Sequence, residues 1–418
     1  MPGPTVLLVN KFHHAVGPAG GVGRYLLEEA ADLAAAGWET VPFAMADADA
    51  LPSPWSAWFV SARDYRVANW NRHTLPDALS LVWNREAARR LGDLLRVAQP
   101  RVAHLHNIYH HLSPSILPVL GRAGVPAVMT LHDLRLLCPA IHMLRRGEVC
   151  ERCRGGRFHE AVLGACVKGS RAASLLAAVE TANQSWRGLY LRHVGRFLCP
   201  SRFYLEKFAA WGWPRERLTH LPNFVDLDAW RPGGVPADDA YLYFGRISAE
   251  KGLGTLLLAQ ARWEAQGDAP TLRFAGEGPW DDELRRRVAT LRLSRVEILG
   301  PLGGEALRAA VARARFTVLP SEWYENSPFT VFESMAAGRP VAGADIGGIP
   351  ELIADGVDGV LFPPRDPDAL LAALKRARAL GPEAGQSARA KASRLWARPA
   401  HMARLREILL AAADGADR

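Results

Sequence analysis

The chain has 418 residues, 49% of them apolar and 22% charged, which is the composition of a folded globular protein and excludes a disordered chain or a collagen-like repeat. Its length suits two domains rather than one continuous core, and no apolar run approaches the roughly 18 to 20 residues that a bilayer-crossing helix needs. The net charge of +8 is carried almost wholly by residues 1–200, with 22 Lys and Arg against 15 Asp and Glu, whereas residues 201–418 hold 29 against 28. A basic half of this size fits nucleic acid, an anionic membrane surface, a phosphorylated substrate or a plain solvated surface.

The N-terminus runs from Met1-Pro2-Gly3-Pro4 straight into Val6-Leu7-Leu8-Val9, without the basic stretch and small-residue cleavage site of a secretion signal, so the expected location is cytoplasmic. That apolar run is the first predicted strand (5–9). Others follow at 39–43, 102–106, 125–130 and 197–199, separated by Ala-, Leu- and Arg-rich helical stretches. A second series falls at 241–244, 271–275, 296–299, 316–319 and 341–342. Strands alternating with helices predict α/β architecture with parallel sheets, and two series predict two sheets. Residues 220–240, with Pro222, Pro232, Gly233, Gly234 and Pro236, are the expected connection. Two insertions interrupt the first half. Residues 51–84 carry Trp55, Trp58, Trp70 and Trp83, either as anchors pinning a long excursion or as a membrane-touching element; residues 138–170 carry four cysteines. Near the end, residues 388–413 read as one long amphipathic helix, with Leu395, Met402, Leu405, Ile408 and Leu409 on its buried face.

Several segments carry chemistry. Gly17-Pro18-Ala19-Gly20-Gly21-Val22-Gly23-Arg24 follows the first strand and precedes a helix expected near Tyr25, where glycines let backbone amides approach an anion. It is not a dinucleotide fingerprint, because the strand-to-glycine distance is too long and no acidic residue stands at the ribose position. Arg246 and Lys251, five residues apart after the first strand of the second series, can neutralise a diphosphate without a metal. Glu325 lies in the loop after the 316–319 strand, and Glu333 lies on the next helix. If that helix starts near Ser327, the two carboxylates line one cleft at different depths. The cysteines are spaced C-x11-C-x2-C-x12-C (Cys138, Cys150, Cys153, Cys166), a pattern open to structural zinc, to reduced thiols or to disulfides. His142, His159 and the group His104, His106, His110 and His111 are candidate extra ligands, although strand-end histidines commonly make ordinary hydrogen bonds.

Taken together, Gly20-Gly21, Thr130-Leu131-His132-Asp133, Pro222-Asn223-Phe224-Val225-Asp226, the Arg246 and Lys251 pair and Glu325-x7-Glu333 resemble the retaining nucleotide-sugar glycosyltransferases of family 4. The resemblance covers nearly the whole chain, with five motifs in the family's order. It implies a GT-B fold: an N-terminal acceptor domain (1–218), a C-terminal donor domain (219–394), and a last helix (395–418) returning to the N-terminal domain. It implies that Arg246 and Lys251 hold the donor diphosphate in place of a metal and that Glu333 accepts the ribose hydroxyls. Glu325 and the Asn326, Ser327, Pro328 and Phe329 loop would orient the transferred sugar, and His132 would reach it from the other domain. Gly20 and Gly21 would leave room for phosphate or acceptor, and Asn223 would serve the donor site or only a turn. The implied partners are a nucleoside-diphosphate sugar and an acceptor hydroxyl, with no cofactor for catalysis. Relatives with membrane-embedded acceptors dock on anionic lipid, which gives the basic half and its tryptophans a membrane expectation. The family often has glycine after the first glutamate, where Asn326 and Ser327 stand here, so sugar preference does not carry over. The competing readings are a nucleotide-sugar epimerase or phosphorylase-like enzyme and a non-catalytic zinc module binding nucleic acid. Against the last, the cysteine segment has few arginines and no recognition helix.

Overall fold

The computed structural model describes residues 3–14, 20–62, 80–234 and 238–415. Six parallel strands form the N-terminal sheet: β1 (Thr5–Val9), β2 (Glu39–Phe43), β3 (Val102–Leu105), β4 (Ala127–Thr130), β5 (Arg196–Cys199) and β6 (Leu218–His220), in the order 6-5-4-3-1-2. Six more form the C-terminal sheet: β7 (Ala240–Phe244), β8 (Thr271–Ala275), β9 (Val296–Gly300), β10 (Thr317–Leu319), β11 (Val341–Ala344) and β12 (Gly359–Phe362), in the order 9-8-7-10-11-12. Both are doubly wound sheets, and their strand carboxyl ends face the region between the domains. The continuous apolar run of β1 has a direct cause. Leu7 and Val9 pack into one core layer and Val6 and Leu8 into the other, because a parallel sheet is buried on both faces.

Five helices matter for the site: α1 (Gly20–Ala35), α2 (Arg171–Trp186), α3 (Phe329–Ala336), α4 (Pro382–Leu395) and α5 (Arg398–Ala413). The helix read as starting near Tyr25 begins at Gly20, so the glycines form its first turn. The single helix read over 388–413 is two. The chain breaks at Trp396 and Ala397, where Val225 N donates to Trp396 O (2.9 Å) and Arg398 N donates to Val225 O (3.2 Å). Pro399 suits the first turn of α5, where no intrahelical donor is required. The break lets Ala388 and Ala392 of α4 stay on the C-terminal core, while Met402, Leu405, Ile408 and Leu409 of α5 cross to the N-terminal core. The returning helix is thus observed. The first sheet ends at His220, two residues beyond the boundary at 218, because β6 is its sixth strand. Trp55, Trp58 and Trp83 are partly buried against the N-terminal core, as anchors; Trp70 lies outside the described residues.

Candidate active site

Arg246 and Lys251 leave the carboxyl end of β7 on a short turn. Gly252 has φ +70°, and a Cβ there would lie 1.8 Å from Pro320 O, so only glycine lets this turn press against the segment that carries Glu325. The result is a tight cluster. Glu325 Oε1 accepts from Lys251 Nζ (2.6 Å), Ser321 Oγ (2.6 Å) and Trp323 Nε1 (2.9 Å), and the side chain is buried. Arg246 is half exposed and pairs with Glu250, which also accepts from Ser248 Oγ at 2.8 Å.

The segment between Glu325 and α3 is clamped from three sides. Asn326 Nδ2 donates to Leu131 O (2.9 Å) and His132 O (3.3 Å) across the interdomain boundary, and Asn326 Oδ1 accepts from Ser201 Oγ (2.9 Å). The amide is therefore engaged in joining the domains. Asn223 Nδ2 donates to Ser327 O at 2.8 Å, which gives this connection residue a definite contact with the site. Gly348 N donates to Glu325 O (2.8 Å), and a Cβ on Gly348 would lie 1.8 Å from Asn326 O. Pro328 is the N-cap of α3, one residue later than the expected start near Ser327. Beside this terminus Ser327 Oγ and Thr330 Oγ1 are buried without hydrogen-bond partners. Unsatisfied buried hydroxyls at a helix N-terminus are chemically suited to an anion or a sugar hydroxyl.

Glu333 is buried one turn along α3 and pairs with Arg24 of α1, which also donates to Glu28 Oε1 at 2.9 Å. Burial pushes the Glu333 carboxyl up, with Arg24 opposing and Glu28 adding to the rise. Arg24 lies over the Phe329 ring (5.4 Å), and a Cβ on Gly21 would meet that ring at 3.0 Å. In this arrangement Gly21 makes room for Phe329; Gly20 opens α1 beside it.

On the N-terminal side, His132 follows β4, and its Nε2 lies 2.8 Å from His106 Nδ1. Behind it His104 bonds Glu29 through Nδ1 (2.5 Å) and Thr130 Oγ1 through Nε2 (2.8 Å). Burial lowers His132, and nearby His106 and His104 lower it further; burial and His104 likewise push His106 down to about 4. Burial alone would raise the Glu29 carboxyl, but His104 and His106 hold it well below the carboxylate range. Ligating atoms of Glu29, His104 and His106 lie within 4.8 Å of one another, yet His104 spends both nitrogens on Glu29 and Thr130, so this is a hydrogen-bond network rather than an open metal site.

Cys138, Cys150, Cys153 and Cys166 line one small cavity of about 10 Å³, all as free thiols. Backbone amides of Ala140 and Met143 lie against Cys138 sulfur, and that of Ala161 against Cys153 sulfur. Burial, with neighbouring thiols, pushes Cys153 up to about 12. The sulfurs surround the cavity more widely than a closed ligand shell, since among the described residues only the Glu29 group brings three ligating atoms within 4.8 Å. His104, His106 and His110 are not extra ligands: the first two belong to the Glu29 network, and His110 Nδ1 pairs with Glu180 at 2.9 Å. His142 packs edge-on against Trp323 at 4.8 Å. Glu151, between two of the cysteines, accepts from Tyr324 Oη (3.0 Å) and Lys207 Nζ (2.5 Å), so the insertion touches the Glu325 loop.

Sequence reasoning missed Arg24, Glu29, Ser201, Gly347 and Gly348. The paired glycines after β11 were the one readable signal: Gly347 has φ +64°, and a Cβ there would lie 2.5 Å from Glu325 O.

Two facing doubly wound domains, with charged and unpartnered polar groups where their strand ends meet, define a GT-B protein. The description "Glycosyltransferase Family 4" matches residues 19–229, just over half of the chain, and "Glycosyl transferases group 1" matches residues 238–379. The chain belongs to glycosyltransferase family 4. It is 30% identical over 286 residues to a glycogen synthase of Mycobacterium tuberculosis, covering 65% of this chain and 64% of that protein. It is 34% identical over 124 residues to an alpha-D-kanosaminyltransferase of Streptomyces kanamyceticus, covering 29% of this chain and 32% of that one. The chain thus spans less than two thirds of the length of these relatives. The fold is similar to sucrose-phosphate synthase of Thermosynechococcus elongatus, with TM-score 0.68, 18% identity, and coverage of 97% of this chain and 98% of the other. It is also similar to the Anabaena protein HepE in complex with UDP and glucose, with TM-score 0.65, 17% identity, and coverage of 98% and 100%.

Proposed function

We propose that the protein is a retaining, metal-independent glycosyltransferase that moves a hexose from a nucleoside-diphosphate sugar to an acceptor hydroxyl. The observation that carries this reading is the convergence of Lys251, Glu325 and the α3 N-terminus, with the unpartnered Ser327 and Thr330 hydroxyls, on the side of the cleft facing His132. Arg246, Lys251 and the α3 terminus would take up the charge of the leaving diphosphate. Glu333 would accept the ribose hydroxyls once Arg24 yields. In front-face substitution the sugar–phosphate bond breaks, the acceptor oxygen bonds the anomeric carbon on the same face, and a donor phosphate oxygen takes the acceptor's proton. Neither glutamate is then a nucleophile; Glu325 holds Lys251 and the sugar in register. The UDP and glucose held by the Anabaena neighbour favour a uridine donor among those to be tried first. Incubation with a panel of radiolabelled nucleotide sugars tests the reading: slow hydrolysis of one donor is expected, and neither turnover nor binding of any donor would overturn it. An epimerase would instead convert the sugar while still attached to its nucleotide.

The cysteine insertion is read as a structural zinc knuckle that braces the Glu325 loop through Glu151 and His142. Buried thiols that resist ionisation alone would ionise on binding zinc, and amides facing their sulfurs favour the thiolates. Elemental analysis of protein purified without added metal is expected to find near-stoichiometric zinc, lost in Cys150→Ser; its absence from the wild type would remove this reading. For a membrane surface, Trp55, Trp58 and Trp83 are engaged with the core, whereas Leu175, Val179 and Trp186 on α2, with Leu163 beside it, are exposed apolar side chains. Flotation with anionic but not neutral liposomes is the expected result, and indifference to lipid charge would return the basic half to a solvated surface. No described helix is long and apolar enough to cross a membrane.

A further inference from the structure

His132 is the one N-terminal side chain expected at the transferred sugar, and what it can do there depends on which ring nitrogen carries its proton. The chain of contacts behind it settles this. His106 Nδ1 and His132 Nε2 are 2.8 Å apart, so in two neutral rings one donates and the other accepts. On the far side of His106, its Nε2 faces Glu29 Oε2 at 3.3 Å, and neither atom has another partner. Glu29 is an ionised, fully buried carboxylate whose other oxygen is bonded by His104 Nδ1 at 2.5 Å. A lone pair on His106 Nε2 would set two unshielded lone pairs against each other in a medium of low dielectric. The proton therefore sits on His106 Nε2, its Nδ1 is the acceptor, and His132 must donate from Nε2.

We propose that Glu29 and His106 are positioning residues that lock His132 as the neutral Nε2–H tautomer, so that it presents a lone pair at Nδ1. In that form His132 accepts a hydrogen bond from a sugar hydroxyl and does not act as a cation toward the leaving diphosphate. Tyr25 supports the arrangement. Its ring meets that of His132 edge-on (5.6 Å), while its hydroxyl donates to His401 Nε2 (2.9 Å), a nitrogen left free to accept because His401 Nδ1 donates to Pro222 O (2.8 Å). The groups facing His132 and His106 are thus Glu29, His104 and Tyr25, with His401 one contact away. The role at the sugar rests on the transferase reading; the tautomer does not.

Long-range proton–nitrogen correlation spectra of full-length, [15N]histidine-labelled protein report the tautomer directly, with His132 assigned by the signals lost in His132→Gln. The expected result is a neutral Nε2–H ring at neutral pH, with the two tautomers at a ratio of about ten to one or more. In His106→Phe, which removes the acceptor, the ratio should collapse toward an even mixture. A wild-type His132 that is an imidazolium or the Nδ1–H tautomer overturns the proposal, as does an unchanged ratio in a folded His106→Phe. Because the spectra are recorded without any nucleotide sugar, failure of the transferase reading would leave this result standing and would appear only in the donor panel.

Discussion

On the N-terminal lip of the cleft, Glu29, His104, His106, His132 and Thr130 face one another, their two unbonded atoms (His106 Nε2 and Glu29 Oε2) 3.3 Å apart, whereas on the C-terminal lip Ser327 and Thr330 hydroxyls are buried without partners and Arg246 stands half exposed. An unsatisfied buried polar group costs about 1 to 3 kcal/mol, and one that lies beside a cleft is a group that a ligand can complete. The contrast separates two jobs. The hydroxyls of the C-terminal lip need partners from outside, and this is the side that the donor would finish, while the unbonded atoms of the N-terminal lip, His106 Nε2 and Glu29 Oε2, face each other and leave one fixed side chain on offer.

The strongest way to break this comparison is at Glu325, which gathers Lys251, Ser321 and Trp323 on one oxygen. Glu325→Ala should lower kcat by about 100-fold or more while leaving nucleoside-diphosphate binding largely intact. Loss of binding with turnover preserved would mean that the roles of Glu325 and the cations are exchanged. A smaller effect is expected at Arg24, which bridges the two lips by pairing with Glu333. Burial pushes the Glu333 carboxyl up and Arg24 opposes that rise, so Arg24→Ala should raise it further. At high pH the variant should bind nucleoside diphosphate at least as tightly as the wild type, because no ion pair has to be displaced. Its affinity should then fall as the pH is lowered and the carboxyl protonates, while the wild type, whose Arg24 opposes that protonation, changes less. Parallel pH profiles would show that ribose does not meet Glu333. The smallest effect concerns the clamp on the C-terminal loop: Asn223→Ala leaves the Ser327 carbonyl without its donor and should cost about 1 kcal/mol of stability, read as a lowered thermal midpoint with Glu325 chemistry retained.

The chemistry-bearing segments were legible in the sequence because each is local: two cations five residues apart, two glutamates eight apart, a Cys-x2-Cys. What was not legible depends on contacts between distant residues. Arg24 and Glu333 are 309 positions apart, and nothing in either segment announces that they meet. Asn326, read as facing the sugar, has its amide bonded to Leu131, His132 and Ser201, partners that only the packing of one domain on the other supplies. Gly20 and Gly21 read as loop because glycine is costly in a helix, but they open α1, and at Gly21 the Phe329 ring occupies the space that a side chain would take. The break between α4 and α5 was hidden because Leu395 was read onto the same buried face as Met402, whereas it is half exposed, and Pro399 marks the new start; the two helices serve two different cores. Strands β6 and β12 were not read: Leu218-Thr219-His220 has a single apolar residue, and Gly359–Phe362 opens on a glycine directly after the turn residues Asp355, Gly356 and Asp358.

On the proposed function, the C-terminal lip holds a nucleoside diphosphate with protein cations in place of a metal. Titration calorimetry of uridine, guanosine and adenosine diphosphates in the presence of EDTA tests it most directly, using wild type and the Arg246→Ala/Lys251→Ala double variant. One of the three is expected to bind the wild type in EDTA and to lose about 10- to 100-fold in affinity in the double variant. Binding that requires a divalent ion, or that is indifferent to the loss of both cations, would contradict the account.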